Sequence, residues 1–229
     1  WKNGYPEYFA KVLNAPNWIG INIEINGENL DLAKCKLVSN FRRELNMKEG
    51  LYNRSFNATL QNGIEIEVNV TRFLSINLDE VGVINYEVKL LNSDAKIIFN
   101  PYVDAGVHNE DANWEEKFWE PISVENTSNE AFVTARTFKT HFTATTFMQN
   151  TILIGNPVQN INSIISEKTA DKIAFSYEVS ANKRQTASIQ KIGGYTVSMN
   201  HQNTIEAAKN AIQKAENIGY NQLLEDQKT

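Results

Sequence analysis

The sequence predicts a mainly β protein, a layered antiparallel body that ends in one amphipathic helix. Three observations predict it. Apolar and polar residues alternate in one short run after another, Asn-Gly pairs stand where hairpin turns would close successive runs, and only near the C-terminus does the apolar spacing lengthen to three and four residues. At 229 residues, 41% hydrophobic and 21% charged, the chain is long and apolar enough to bury a sizeable core as one globular unit.

Residues 1–18 hold two of the five prolines and several aromatics without a period, and read as an irregular entry segment. Ile19, Ile21, Ile23 and Ile25 then alternate with Gly20, Asn22, Glu24 and Asn26 as a half-buried strand. A two-residue Asn26-Gly27 loop sets Ile23 against Leu30 and Ile21 against Leu32, keeping both pairs on one face, so a type I′ turn is expected. The central stretch from Phe41 to Leu74 contains a second hairpin, and there the same reasoning gives another loop length. A two-residue loop would oppose Leu60 to Glu65 and mix the faces. The three residues Gln61 to Gly63 instead oppose Ala58 to Ile66 and Phe56 to Val68, with Gly63 in the left-handed region and Glu65 and Glu67 toward water.

Strand-like runs follow at 81–91 and 95–103, with Asn92-Ser93-Asp94 as their turn, and then at 131–138, 141–149, 151–154, 170–179 and 186–198. Gly193-Gly194 inside the last suggests a bulge or bend. The end differs: Asn203 and Glu206 have capping-box spacing, Ile205, Ala208, Ile212 and Ala215 form a stripe, and Gly219 stands at the C′ position.

The net charge of −5, with no basic stripe, argues against a nucleic-acid partner, and no run is long enough to span a membrane as a helix. Cys35 is the one cysteine; a packed thiol and a reducing compartment fit it, so a cytoplasmic location is expected, with a signal peptide upstream of Trp1 as the alternative. His108, His141 and His201 have no metal-ligand spacing, no phosphate-binding glycine loop occurs, and no cofactor is expected. The sequons at Asn53, Asn57, Asn69 and Asn126 read as chance in an asparagine-rich chain. Arg42, Arg43 and Glu44 read as an edge or solvated face, with an interdomain ion pair as the alternative. No catalytic residue is assigned.

The stretch HNEDANWEEKFW, from His108 to Trp119, breaks the strand rhythm. Its Asn109, Glu110, Asp111, Asn113, Trp114, Phe118 and Trp119 are candidate substrate-binding residues, because flat rings stack on pyranose faces while carboxylates and amides take the hydroxyls. The competing reading is a long loop folded over the body, its rings buried and its acids solvated. Calcium is a third reading, although the acidic loop pattern it needs is absent.

The segments NAPNWIGINIEINGENLDL, FRRELNMKEGLYNRSF, VTRFLSI and PYVDAGVHNEDANWEEKFW resemble the N-terminal domain of glycoside hydrolase family 65, most closely its maltose phosphorylase-like members. The resemblance implies a large antiparallel β-sandwich (a super-sandwich) over residues 1–202 and, over 203–229, the start of a helical linker to an (α/α)₆ barrel outside this chain. It implies that the barrel carries the general-acid glutamate and the phosphate site, with inorganic phosphate as co-substrate and a disaccharide as substrate. The expected partners are that barrel and, as a further partner, a second copy of the protein. An autonomous carbohydrate-binding sandwich and a hydrolase of the same family are the alternatives.

Overall fold

A computed structural model describes residues 12–110, 117–155, 157–159, 161 and 163–228. Two antiparallel sheets stack face to face. The larger, nine-stranded sheet runs in the order β3 (Leu37–Asn46), β4 (Leu51–Thr59), β5 (Glu65–Leu74), β6 (Val81–Leu90), β14 (Thr186–Val197), β10 (Thr143–Ile154), β9 (Glu130–Thr137), β8 (Trp119–Asn126), with β11 (Val158–Gln159) beside β10. The smaller runs β12 (Ile164–Lys168), β13 (Lys172–Ala181), β7 (Ala95–Asp104), β1 (Ile21–Ile25), β2 (Glu28–Asn29). Between them Ile25, Ile97, Phe99 and Phe175 of the small sheet meet Phe56, Ile66, Val88 and Ile189 of the large one, all nearly or wholly buried. The expected sandwich is what forms.

The hairpins follow their predicted logic to different extents. Asn26 (φ 47°) and Gly27 (φ 82°) are both left-handed, as a type I′ turn requires, and Leu30 N donates to Ile23 O at 2.9 Å. Past Asn29, however, the pairing stops: Ile21 lies opposite Pro101 of β7 rather than facing Leu32. The second hairpin holds throughout. Gly63 has φ 85°, Phe56 faces Val68, and Ala58 faces Ile66. The turn at 92–94 does not close a hairpin, because β6 belongs to the large sheet and β7 to the small one; the chain changes layer there. Residues 141–149 and 151–154 merge into the single strand β10, whose central position makes it almost fully buried.

Gly193 and Gly194 cause no register shift, since β14 pairs continuously with β10 and β6 across them. They make room. Gly193 lies directly opposite Gly82, and a Cβ on either would come within 2.7 Å and 2.4 Å, respectively, of the buried Trp18 ring. The indole rests on a floor of two glycines on neighbouring strands.

The helical end also divides. Helix α1 (Thr204–Ile218) starts at Asn203, whose Oδ1 accepts from Glu206 N at 3.1 Å, and stops at Gly219 (φ 80°); helix α2 (Tyr220–Gln227) follows at once. Ala208, Ala211, Ile212 and Ala215 pack on the outer face of the large sheet with Phe132, Phe147, Val83 and Ile192, while Ile205 is only half-buried. The stripe is thus used by the domain's own sheet, which forms a second core. Buried threonines tie down the helix start: Thr145 Oγ1 lies 2.7 Å from Thr204 Oγ1, and Thr196 Oγ1 donates to Thr204 O at 2.6 Å. Asn203→Ala should lower stability by about 1 kcal/mol, a melting shift of about 2–4 °C for a domain of this size. A thermal melt unchanged by the substitution would show that the cap is dispensable.

Candidate functional site

The site anticipated around residues 109–119 grows from one end of the sandwich, where β7 finishes and β8 begins. Asp104 at the end of β7 pairs its backbone with Asn17, at 2.6 and 3.0 Å, which draws the segment 12–17 alongside. A clasp of side chains completes the join. Asn109 Oδ1 accepts from Asn14 N at 2.8 Å and its Nδ2 donates to Val12 O at 2.8 Å, so one carboxamide satisfies both a donor and an acceptor of the opposite backbone. Asn14 Nδ2 donates to His108 O at 2.7 Å, and Trp119 Nε1 donates to Asn14 O at 2.9 Å.

The predicted residues therefore separate. Trp119 is 7% exposed, with its ring against Phe142 at 6.4 Å and its one N–H occupied, so it anchors the root of the segment. Asn109 is a half-buried part of the clasp. Glu110 is exposed, Phe118 is half-buried, and Lys117 pairs with Asp171 at 3.3 Å. Hydrogen bonds from Thr169 and then Lys117 hold the Asp171 carboxyl below its usual range, against the effect of partial burial. Asp111, Asn113 and Trp114 lie outside the described residues, as do Glu115 and Glu116.

Beneath the clasp is an open, mainly apolar hollow of about 400 Å³, walled by Leu13, Pro16, Trp119, Phe142 and Tyr195 among others. Tyr195 donates its hydroxyl to Pro16 O at 2.5 Å, and burial pushes its pKa up to about 12. Lys191, on the same strand as Tyr195, is 0% exposed. Its Nζ donates to Gly20 O at 2.9 Å and Tyr102 O at 2.7 Å, joining β14 of one sheet to β7 of the other and to the residue just before β1. Burial holds this amine well below the ordinary lysine pKa. The sequence carries a signal for it: Ala187, Ile189, Lys191 and Gly193 occupy alternate positions, so the lysine shares the apolar face of its strand.

A second cleft, of about 530 Å³, opens between the turn after β5 and the first turns of α1, lined by amides such as Asn200, Gln202 and Asn210. There His201 Nε2 lies 2.8 Å from Glu80 Oε1, which fastens the two walls together. Cys35 is half-buried with Sγ 3.3 Å from Asp31 O; burial, and then the charges of Glu28 and Asp31, push its thiol pKa up, the wrong direction for a nucleophile. Among the described residues no group of three or more His, Cys, Asp and Glu side chains could hold a metal, and no helix is long and apolar enough to cross a membrane. What this end of the molecule offers is a rigidly clasped base for a polar, aromatic segment; the described residues contain no paired acid and nucleophile.

The sequence is 41% identical over 142 residues to the maltose phosphorylase of Bacillus subtilis (strain 168), covering 62% of this chain and 18% of that protein. It is 24% identical over 240 residues to the alpha,alpha-trehalose phosphorylase of Thermoanaerobacter brockii, covering 97% of this chain and 30% of that one. The chain thus spans less than a third of the length of either relative. Among solved structures, one that bears the name "Putative kojibiose phosphorylase from human microbiome" superposes with a TM-score of 0.79 at 20% identity, over 94% of this chain and 27% of that one; it attests the fold. The sequence model of the N-terminal domain of glycosyl hydrolase family 65 matches residues 1–229, the whole chain. Sandwich, terminal helices and sequence agree: the chain belongs to glycosyl hydrolase family 65, as its N-terminal domain.

Proposed function

We propose that the chain is the non-catalytic sandwich domain of a larger inverting phosphorylase that cleaves an α-linked glucose disaccharide such as maltose. The observation that carries this is the 41% identity over 142 residues with a maltose phosphorylase. In this reading the acid and the phosphate site lie in polypeptide beyond this chain. The acid protonates the glycosidic oxygen as inorganic phosphate attacks the anomeric carbon from the opposite face; the C–O bond to the leaving sugar breaks and a C–O bond to phosphate forms. The products are β-glucose 1-phosphate and free glucose. Phosphate takes the place of an activated water, so no second carboxylate is required.

The test is direct. The intact protein that carries this domain should convert maltose and phosphate into equal amounts of glucose and glucose 1-phosphate, and residues 1–229 alone should convert none. Trehalose, kojibiose and nigerose are the comparison substrates. Glucose release without glucose 1-phosphate would make the protein a hydrolase and overturn the reading.

Within the same reading, the segment from Asn109 to Trp119 reaches the substrate. Support comes from its composition, the exposure of Glu110, and the clasp by Asn109 and Trp119 that fixes its root. Its role would be positioning rather than proton transfer. Glu110→Gln, Asn113→Ala and Trp114→Ala should each lower kcat/KM by about tenfold to two-hundredfold, the loss of about 1–3 kcal/mol per contact. Variants that melt early yet keep wild-type kcat/KM would show that the segment is only structural.

A further inference from the structure

The outer face of the large sheet changes character along its strands. Under α1 and α2 it is apolar: Leu51, Phe73, Val83 and Ile192 lie side by side on β4, β5, β6 and β14 and share a core with Ile212 and Leu223. Two residues farther along each strand, on the same face, the row becomes Asn53, Thr71, Asn85 and Gln190, continued by Thr151 on β10. The next row is Ser55, Asn69, Glu87 and Ser188. These side chains are half-buried, apart from Ser188, which is buried.

A sheet face that only meets water is commonly kept soluble by long charged side chains, and the outer face of the small sheet is of that kind. There Lys96 pairs with Glu178 at 2.9 Å and Lys172 with Glu167 at 2.6 Å. The two rows on the large sheet are mainly short amides and hydroxyls. They leave an open trough of about 270 Å³ lined by Asn53, Ser55, Asn69 and Thr71, together with Arg42 and Glu44 of β3, which pair with each other.

The amides are held in position by their neighbours. Thr71 Oγ1 donates to Asn53 Oδ1 at 2.9 Å, Asn69 Nδ2 donates to Glu67 Oε1 at 3.1 Å, and Asn85 Nδ2 donates to Glu87 Oε1 at 3.0 Å. Those bonds leave Asn53 Nδ2 to donate and Asn69 Oδ1 to accept, a pair that sugar hydroxyls, each both donor and acceptor, can satisfy. Where the apolar row meets the polar ones, the half-buried Tyr220 of α2 packs on Phe73, ring centroids 6.3 Å apart. Burial, and then the charge of Glu87, push its pKa up to about 12, so its ring lies near that carboxylate. Five strands about 4.8 Å apart make the first polar row about 19 Å long, more than a disaccharide covers. Glu44, Glu67 and Glu87 stand against Arg42 and Lys89 on this face, an excess of negative charge that disfavours an anionic chain.

We propose that the rows Asn53–Thr71–Asn85 and Ser55–Asn69–Glu87, edged by the Tyr220 ring, form a binding site for a neutral oligosaccharide longer than a disaccharide. The site uses none of the residues 109–119 and does not depend on the reading of the protein as a phosphorylase.

Equilibrium binding to the intact protein tests it, without phosphate and with excess maltose present to occupy a catalytic site. At least one of maltoheptaose, cellohexaose and mannohexaose should bind. Asn53→Ala combined with Asn69→Ala should weaken that binding about tenfold, through the loss of two hydrogen bonds, and leave the melting midpoint unchanged. Ser55→Arg, which sends a long side chain into the trough, should abolish it. Failure of all three oligosaccharides to bind would overturn the proposal, and so would wild-type affinity in both variants. An oligogalacturonate bound as tightly would overturn the assignment to neutral sugars. Because no turnover is read, a protein that binds an oligosaccharide at these rows yet phosphorolyses no disaccharide refutes the proposed activity and leaves the site standing.

Discussion

Ile212→Asp should lower the stability of this domain by about 4–6 kcal/mol, much of the 5–15 kcal/mol that holds a typical domain together. Ile212 is 1% exposed and packs with Phe147 and Phe132 between α1 and the large sheet. Removing most of a buried isoleucine side chain costs about 2–5 kcal/mol, and a carboxylate left in the cavity adds the penalty of an unpaired buried charge or of its protonation. Ile212→Val, which deletes one methylene, should cost only about 0.5–1.5 kcal/mol. The comparison is informative because the stripe on α1 could have served a neighbouring domain instead. Were that so, Ile212→Asp would loosen contacts elsewhere and leave the sandwich's own denaturation midpoint where it was. Urea titration followed by a probe in this domain, such as the fluorescence of Trp18 and Trp119, separates the outcomes.

The second large effect is a pH dependence that belongs to Lys191. Its folded pKa is depressed by burial, below the value near 10.4 of a solvated lysine. Between those two values the unfolded chain binds a proton that the folded chain does not, so unfolding free energy rises with pH. The slope is up to about 1.4 kcal/mol per pH unit, and the destabilisation is greatest below the folded pKa. Lys191→Met removes this dependence, and it also leaves Gly20 O and Tyr102 O without the N–H groups they now accept, a loss of about 1–3 kcal/mol. The wild type should therefore gain on Lys191→Met as pH climbs from 6 toward 10. At the low end the gap narrows or reverses, because the methionine buries no charge. A gap that stays constant over that range would mean that Lys191 titrates like a surface lysine.

Much of this fold was legible in the chain because the strongest signals are local. In the central hairpin, Gly63 and the alternation of Phe56, Ala58, Ile66 and Val68 determine loop length, register and buried face together, since a slip of one residue would turn an apolar row to water. Asn203, Glu206 and Gly219 determine where α1 begins and ends for similar reasons: a cap is satisfied within one turn. Family membership was legible too, as several segments in the right order. Layer assignment was not. Asn92-Ser93-Asp94 reads as a hairpin turn, yet β6 and β7 part company there, because the partners that recruit them, β14 and β13, lie far along the chain: Lys89 faces Thr186 and Ala95 faces Ala181. Gly193-Gly194 reads as a bulge until Trp18, distant in sequence, is seen lying on Gly193 and Gly82.

The candidate site divides along the same line. The run from His108 to Trp119 stands out by composition, but composition cannot say which rings face solvent. Trp119 is drawn into the core by an apolar neighbour, Phe142, and an acceptor, Asn14 O, that only the folded chain brings near. By itself the sequence determined the strands that alternate clearly, though not β8, β11 or β12, together with the two turn types, the helix caps and the family, all properties of near neighbours or of whole matching segments. Which strand joins which sheet, which ring is buried and which charges share a face were decided by the tertiary structure, because those depend on contacts between residues that the chain keeps far apart.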